Sequence, residues 1–492
     1  MTAATSALRF WCDMSMECIR RDHTPGLSSG DQKGPFLTAR ALGMALAALH
    51  DAHAHATARP PLLSIAPPAA IAGVGPAGAT LAAGAACAQV LRMRYPNQAH
   101  LLEPAWLHWL EYFGFGSAGS QTEGVGRAFG NLVHQRGAND SATAAADQFT
   151  PSGAPYTHIS PPKDAGQGYA GGKWGATAPL LAGRVAGFPR PPGRVSAFQV
   201  QPTSHYAADL ALVASKGEHS RTNGTRTLPE EVIGIAWGYD GPAELGTPPR
   251  LYLQVVLTVL DLIEARSPGA LSAEDELSVL AGVAIAMADA GIDAWHYKYS
   301  PDHMMWRPAV GIPGALPGNG VADPNWEPLG RPDTNGSGRR LTPNFPAYPS
   351  GHATFGAAAF QLLRVFLVEK GLASFDANGV DDIRFDFVSD EFNGRNKDPV
   401  TMQPRDHVTL GYESLWKAIV DNSISRVFLG VHWQFDGITK RNGAGTDDEH
   451  GVPASPADLG RTGGVWLGAM IANQIASKLG VSPATIAASR IA

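Results

Sequence analysis

The sequence predicts an all-α protein with long irregular loops. Three features carry that reading: a succession of Ala-, Leu- and Val-rich segments at helical spacing, a scarcity of alternating β pattern, and two long stretches of Pro, Gly and Asn. Helices are predicted, in order, over 38–57, 76–94, 98–114, 123–136, 206–217, 247–266, 272–291, 352–371, 411–430 and 464–479. Ser272 ahead of Ala-Glu-Asp-Glu marks one start, because a side-chain oxygen and acidic residues complement the free amides of a first turn. Only 196–201 and 383–388 read as β-like, too little to build a sheet.

The loops divide the chain. The stretch 137–205 separates an N-terminal helical unit, 1–205, from a C-terminal one, 206–492, and the stretch 309–350 leads into the most informative residues. With 492 residues, 44% hydrophobic and 17% charged, the chain has the composition of a large folded protein. A net charge of −6 supplies no footprint for nucleic acid. No run approaches the roughly 18 unbroken apolar residues of a membrane span, and Arg9, Asp13 and Glu17 interrupt the only apolar stretch at the N-terminus. The expectation is therefore a chain without a signal peptide or membrane span, located in the cytoplasm. Cys12, Cys18 and Cys87 are too few for a disulfide framework and read as ordinary thiols.

Two motifs read as structural. Gly73-Val-Gly75-Pro-Ala-Gly78 has dinucleotide-loop spacing, but follows an Ala/Pro stretch instead of a strand. His50, His53 and His55 read as a packed helix cluster, because no complete metal-ligand set accompanies them.

Chemistry concentrates further on. In Tyr348-Pro349-Ser350-Gly351-His352 a Pro-rich loop enters a helix, so a hydroxyl, a backbone N–H and an imidazole converge where helix ends bind tetrahedral oxyanions. The segment lacks the strand and the G-x-S-x-G spacing of a serine nucleophile elbow. Lys298, Arg307 and Arg426 add three positive charges, and guanidinium forks match the paired oxygens of such an anion. His432 and Asp436, four apart, allow a carboxylate to take one imidazole N–H and leave the other nitrogen for the anion centre.

These motifs resemble those of the vanadium-dependent haloperoxidases, which share their anion-binding segments with type 2 phosphatidic-acid phosphatases and bacterial acid phosphatases. The resemblance rests on Lys298 to Arg307-Pro308, Pro349-Ser350-Gly351-His352, and Ser425-Arg426 to His432 and Asp436. It extends to FPAYPSGHATFGA (345–357), AWGYDGPAELGTPPR (236–250), and the N-terminal blocks IRRDHTPG and ARALGMALAALHDAHA. It implies two helical bundles with the site in the C-terminal one. It further implies one vanadate per chain, bonded to His432 and held by Lys298, Arg307, Ser350, Gly351 and Arg426, with no haem. His352 would be the acid–base residue, Lys298 would polarise peroxide, and Asp240 would pair with Arg426.

The activity implied is oxidation of halide by hydrogen peroxide, giving a halogenating agent for a small organic acceptor, with phosphate as a competing anion. Trp295 and Phe345 match halide-pocket positions that are Trp and Phe in fungal chloroperoxidases and in a bacterial iodoperoxidase class, but Arg and His in algal bromoperoxidases. Bromide and iodide are the expected substrates, with chloride left open. Because many relatives form dimers or rings, a homo-oligomer is expected too. A phosphatase using His432 as nucleophile is the competing reading. One departure stands out: eight residues separate Lys298 from Arg307, more than is usual in the family. The extra length is expected to bulge outward around Ser300, Pro301 and Asp302.

Overall fold

A computed structural model of the chain describes residues 2–68, 71–144, 149–220, 223–444 and 448–491; residues 145–148 of the first long loop lie outside that set. The chain passes through α1 (Ala3–Asp22), α2 (Pro35–Ala56), α3 (Gly75–Arg94), α4 (Ala99–Tyr112), α5 (Gln121–Gln135) and the short α6 (Asp140–Ala144). After the hairpin β1 (Arg194–Ser196) and β2 (Gln199–Val200) come α7 (Ser204–Lys216), α8 (Leu228–Ala236), α9 (Pro248–Arg266), α10 (Ala273–Tyr299) and α11 (Pro308–Gly311). Then follow α12 (Gly351–Glu369), β3 (Phe385–Asn393), β4 (His407–Tyr412), α13 (Leu415–Phe428), α14 (Gln434–Gly437), β5 (Lys440–Arg441), β6 (Asp448–Glu449), α15 (Gly464–Lys478) and α16 (Pro483–Ala488). Among the described residues the strands form only two-stranded antiparallel ladders, so the protein is all-α in architecture.

Each predicted helix has a counterpart, and the differences have physical causes. α1 was hidden by its charges: Leu8, Trp11, Cys12, Ser15, Cys18 and Ile19 make a buried stripe at helical spacing, with the arginines set between them. α8 is short but strongly started, by a capping box between Thr227 and Glu230. The helix expected from 411 begins at Leu415, because 407–412 pair with β3. Ser414 and Asp381 then take up the free amides of its first turn. α10 runs eight residues past its expected end at 291, since Gly291 is a contact and not a stop: a Cβ there would lie 2.7 Å from the Phe355 ring of α12.

One continuous apolar cluster extends from Ala7 to Ile491. α2 packs along α10, α10 along α12, and α12 along α15, while α3 bridges α2 and α5. α10 and α12 are long and apolar enough by composition to cross a membrane; 94% of the 18-residue apolar stretch of each is buried, so that surface is accounted for by the core. Two buried carboxylates of α10 anchor the first long loop against it. Asp289 accepts the backbone N–H groups of Leu180, Leu181 and Ala182, and Asp293 accepts that of Val185.

The α12–α15 contact places the start of α12. A Cβ at Gly468 would lie 2.1 Å from the carbonyl oxygen of Thr354, and one at Gly464 2.5 Å from that of Ser350. Only glycine lets the two backbones approach this closely. Gly468→Ala should therefore push the first turn of α12 aside, destabilise the protein by about 1–3 kcal/mol, and weaken oxyanion binding. Thermal unfolding and anion titration check this; an unchanged midpoint with unchanged affinity would contradict it.

Candidate active site

Segments distant in sequence converge at the N-terminus of α12. Ser350 caps that helix, its Oγ accepting from Ala353 N at 3.4 Å. Ser350 N donates to the Asp436 carbonyl oxygen at 2.7 Å, which ties α12 to α14. The backbone oxygen of His352 accepts from the Tyr252 hydroxyl and the Asn422 side chain, so α9 and α13 fix the first turn. Free amides at this end, together with the helix dipole, favour an anion.

Lys298 lies on the last turn of α10 with no solvent exposure. Its ammonium donates to the carbonyl oxygens of Pro346 (2.8 Å), Ala347 (3.1 Å) and Pro349, so the lysine holds the 345–349 loop as well as charging the site. The residues after it turn back at Ser300–Met304, with Pro301 exposed and Asp302 paired to Arg190. Arg307 follows as the cap of α11. Arg307 donates through Nε to Phe345 O and through Nη1 to Val431 O and His432 Nε2, the last at 2.9 Å.

His432 sits in the turn ahead of α14. Its Nδ1 lies 2.9 Å from Asp436 Oδ2, which also accepts the Trp433 N–H, so the four-residue spacing works as a helix-start cap. An acceptor at Nδ1 and a donor at Nε2 fix the proton on Nδ1 and turn the Nε2 lone pair toward Arg307 Nη1, which an anion bonded to Nε2 would displace. Arg426, on the last turn of α13, makes a two-pronged bond to Asp240 at 2.9 and 2.8 Å. The Trp295 and Phe345 rings pack at a tilt, their centres 4.7 Å apart. Lys298 lies 5.1 Å, and Arg307 also 5.1 Å, from the Phe345 ring centre. The Trp295 N–H donates to Ala170 O.

Burial dominates the electrostatics. It pushes Lys298 well below the ordinary lysine range, with Arg307 adding to the fall, and brings Arg307 down to about 9. His432 is driven well below its ordinary value by burial and by Arg307, Lys298 and Arg426, while burial pushes Asp436 up against the pull of Arg307 and Lys298. Burial also works against the charge of Asp240, but Arg426, His352 and Arg331 outweigh it and hold the carboxyl below its usual range. His352 falls to about 3 through burial and Arg426. Its Nε2 donates to Gly238 O at 2.6 Å, so Nδ1 carries the lone pair. The ring lines a cavity of about 210 Å³ with Asp240, Arg331, Phe345, His23 and Lys33.

The donor set fits a tetrahedral oxyanion. Arg307 Nη2 and Arg426 Nε are buried without a hydrogen-bond partner among the described residues, an arrangement that costs free energy unless something accepts from them. A Cβ on Gly351 would meet nothing closer than 3.5 Å, so the protein's own packing does not require glycine there. Among the described residues no cluster of His, Cys, Asp and Glu offers a conventional cation site. His50 instead pairs with Asp51, and the three cysteines are buried and free.

Every sequence-derived site residue lies in or against this cup. Sequence reasoning did not single out Arg331, which donates to the Asp240 carbonyl oxygen, or His23 and Lys33, which line the cavity beside His352. His23 stands in the IRRDHTPG block and Arg331 in the 309–350 loop, so both stretches had drawn notice without these residues being singled out.

Comparison with known proteins agrees with this geometry. Residues 278–445 match the family model for the VCPO second helical-bundle domain. Vanadium chloroperoxidase of Curvularia inaequalis is 30% identical over 514 residues, covering 89% of this chain and 80% of that protein. The chain belongs to the vanadium haloperoxidase family. Its fold is shared with a bacterial vanadium-dependent iodoperoxidase (TM-score 0.61, 17% identity, 95% of each chain). A holo-type bacterial vanadium-dependent chloroperoxidase shares it too (TM-score 0.60, 13% identity, 96% of each chain). As a vanadium haloperoxidase the protein is an enzyme, with peroxide and halide as its class of substrates.

His352 gives this haloperoxidase a pH signature. The unfolded chain takes up the proton near the ordinary 6.5 and the folded one only near 3, so this residue subtracts stability as pH falls between those values. Without bound anion, ¹⁵N shifts of labelled histidine should show His352 neutral, with its proton on Nε2, at pH 5. A titration midpoint above pH 6 would contradict the geometry.

Proposed function

We propose that this enzyme uses one vanadate per chain to oxidise bromide and iodide with hydrogen peroxide, and that the hypohalous product or its equivalent halogenates a small organic acceptor. The observation that carries the reading is the pair of buried, unpartnered guanidinium donors, Arg307 Nη2 and Arg426 Nε, in a cup where His432 presents its Nε2 lone pair. Bound vanadate supplies an electrophilic, closed-shell centre that activates peroxide without changing its own oxidation state.

The chain's residues do the rest. His432 would tether the anion through Nε2, its tautomer fixed by Asp436. Arg307, Arg426, Ser350 and the Gly351 amide would spread its negative charge over hydrogen bonds. Asp240 and Arg331 keep the Arg426 fork in register. His352, with a free Nδ1 on the cavity wall, takes the proton from incoming peroxide and returns it as water leaves. Lys298 adds positive charge on the side of the loop it holds, withdrawing electron density from the peroxide oxygen that the halide attacks. The overall reaction is H2O2 + X⁻ + H⁺ → HOX + H2O.

Bromination of a phenolic dye with vanadate and peroxide tests the reading against p-nitrophenyl phosphate hydrolysis without vanadate. His432→Ala should abolish both turnover and vanadate retention. His352→Ala should retain vanadate and lose about 10²–10⁴-fold in kcat. Undiminished bromination by His432→Ala, or phosphatase activity without halide oxidation in the unaltered enzyme, would overturn the proposal.

A further inference from the structure

His158 belongs to no part of the site described so far. It lies in the first long loop, 1% exposed, and neither ring nitrogen has a hydrogen-bond partner among the described residues. Aromatic rings enclose it: Tyr169 edge-on at 5.5 Å and Phe149 at 6.3 Å, with Phe149 in turn against Tyr169 and Tyr299. Tyr299 follows Lys298 in the chain. Two residues before His158, the Tyr156 carbonyl oxygen accepts from Trp306 N, next to Arg307. The imidazole is thus pinned beside both cations. Burial, then Arg307 and Lys298, push its pKa well below that of an ordinary histidine. The contacts through Phe149 to Tyr299 and from Tyr156 to Trp306 place His158 on the Lys298–Arg307 side of the cup.

A neutral imidazole always carries one N–H, and a buried N–H with nothing to accept it is unfavourable. The surroundings say what the acceptor is. Two nearby cations repel a metal ion, and among the described residues no carboxylate acts on the ring. A tetrahedral oxyanion needs several donors, which Ser350, Gly351, Arg307 and Arg426 already provide. One N–H, a positive field and aromatic walls suit a small, polarisable, singly charged anion. Trp295 cannot supply that N–H, having given its own to Ala170 O, and Phe345 has none.

We propose that His158 is a halide-binding residue, whose ring N–H and the Lys298–Arg307 edge hold the halide beside the oxyanion cup. The proposal rests on the halide-oxidising reading above and adds a residue that sets halide affinity.

Two variants and one crystal test it. His158→Phe keeps an aromatic ring and deletes the N–H; His158→Gln keeps a donor. In steady-state bromination His158→Phe should raise the KM for bromide at least tenfold, with peroxide KM and retained vanadate unchanged, and His158→Gln should recover most of the loss. An unchanged bromide KM, or an equal loss of vanadate in both variants, would overturn the assignment. Anomalous diffraction from unaltered crystals soaked in bromide needs neither variant to fold. Bromide against the His158 ring supports the site even in a protein that oxidises no halide, in which case only the oxidising reading falls. No bromide there overturns the site whatever the activity.

Discussion

The structure depends on three cations buried against two carboxylates. Lys298, Arg307 and Arg426 are all withdrawn from solvent, and among the described residues Asp240 and Asp436 are the carboxylates that offset them. Burying a charge is unfavourable unless it is paired and hydrogen-bonded. The chain meets that demand with backbone carbonyls around Lys298 and with Asp240 on Arg426, and leaves Arg307 Nη2 and Arg426 Nε without an acceptor among the described residues. The excess positive charge and the unpartnered Arg307 Nη2 and Arg426 Nε suit the cup to an anion.

The fold keeps that charge in place. Glycines on α15 let α12 sit low enough to aim its first turn into the cup, and the carboxylates of α10 hold the loop that carries His158. Lys298, by gripping the 345–349 loop, links α10 to the cap of α12. The cations of the cup therefore also hold the segments together, in keeping with their complete burial. His352, on the cavity wall with its Nδ1 free, is the group left available for proton transfer.

Much of this was legible in the sequence where function sits in short blocks. Ser350, Gly351 and His352 are consecutive, and His432 and Asp436 need only one turn to meet, so local spacing was enough. Asp240 became readable only through the resemblance, because 186 residues separate it from Arg426. α10 was cut short at Gly291, since a glycine accommodating Phe355 looks the same in sequence as one ending a helix. His158, Arg331 and the carbonyl cage of Lys298 were out of reach: they lie in loops without periodicity, where backbone course is set by long-range contacts such as those to Asp289 and Asp293.

The central claim is that these segments make one cup for one tetrahedral anion. A crystal structure of the protein soaked with orthovanadate tests it most directly. The account predicts a single anion joined to His432 Nε2 and accepting from Arg307 Nη2, Arg426 Nε and the Ser350–Gly351 turn. Vanadate bound elsewhere, with those two guanidinium groups still unpartnered, would contradict it.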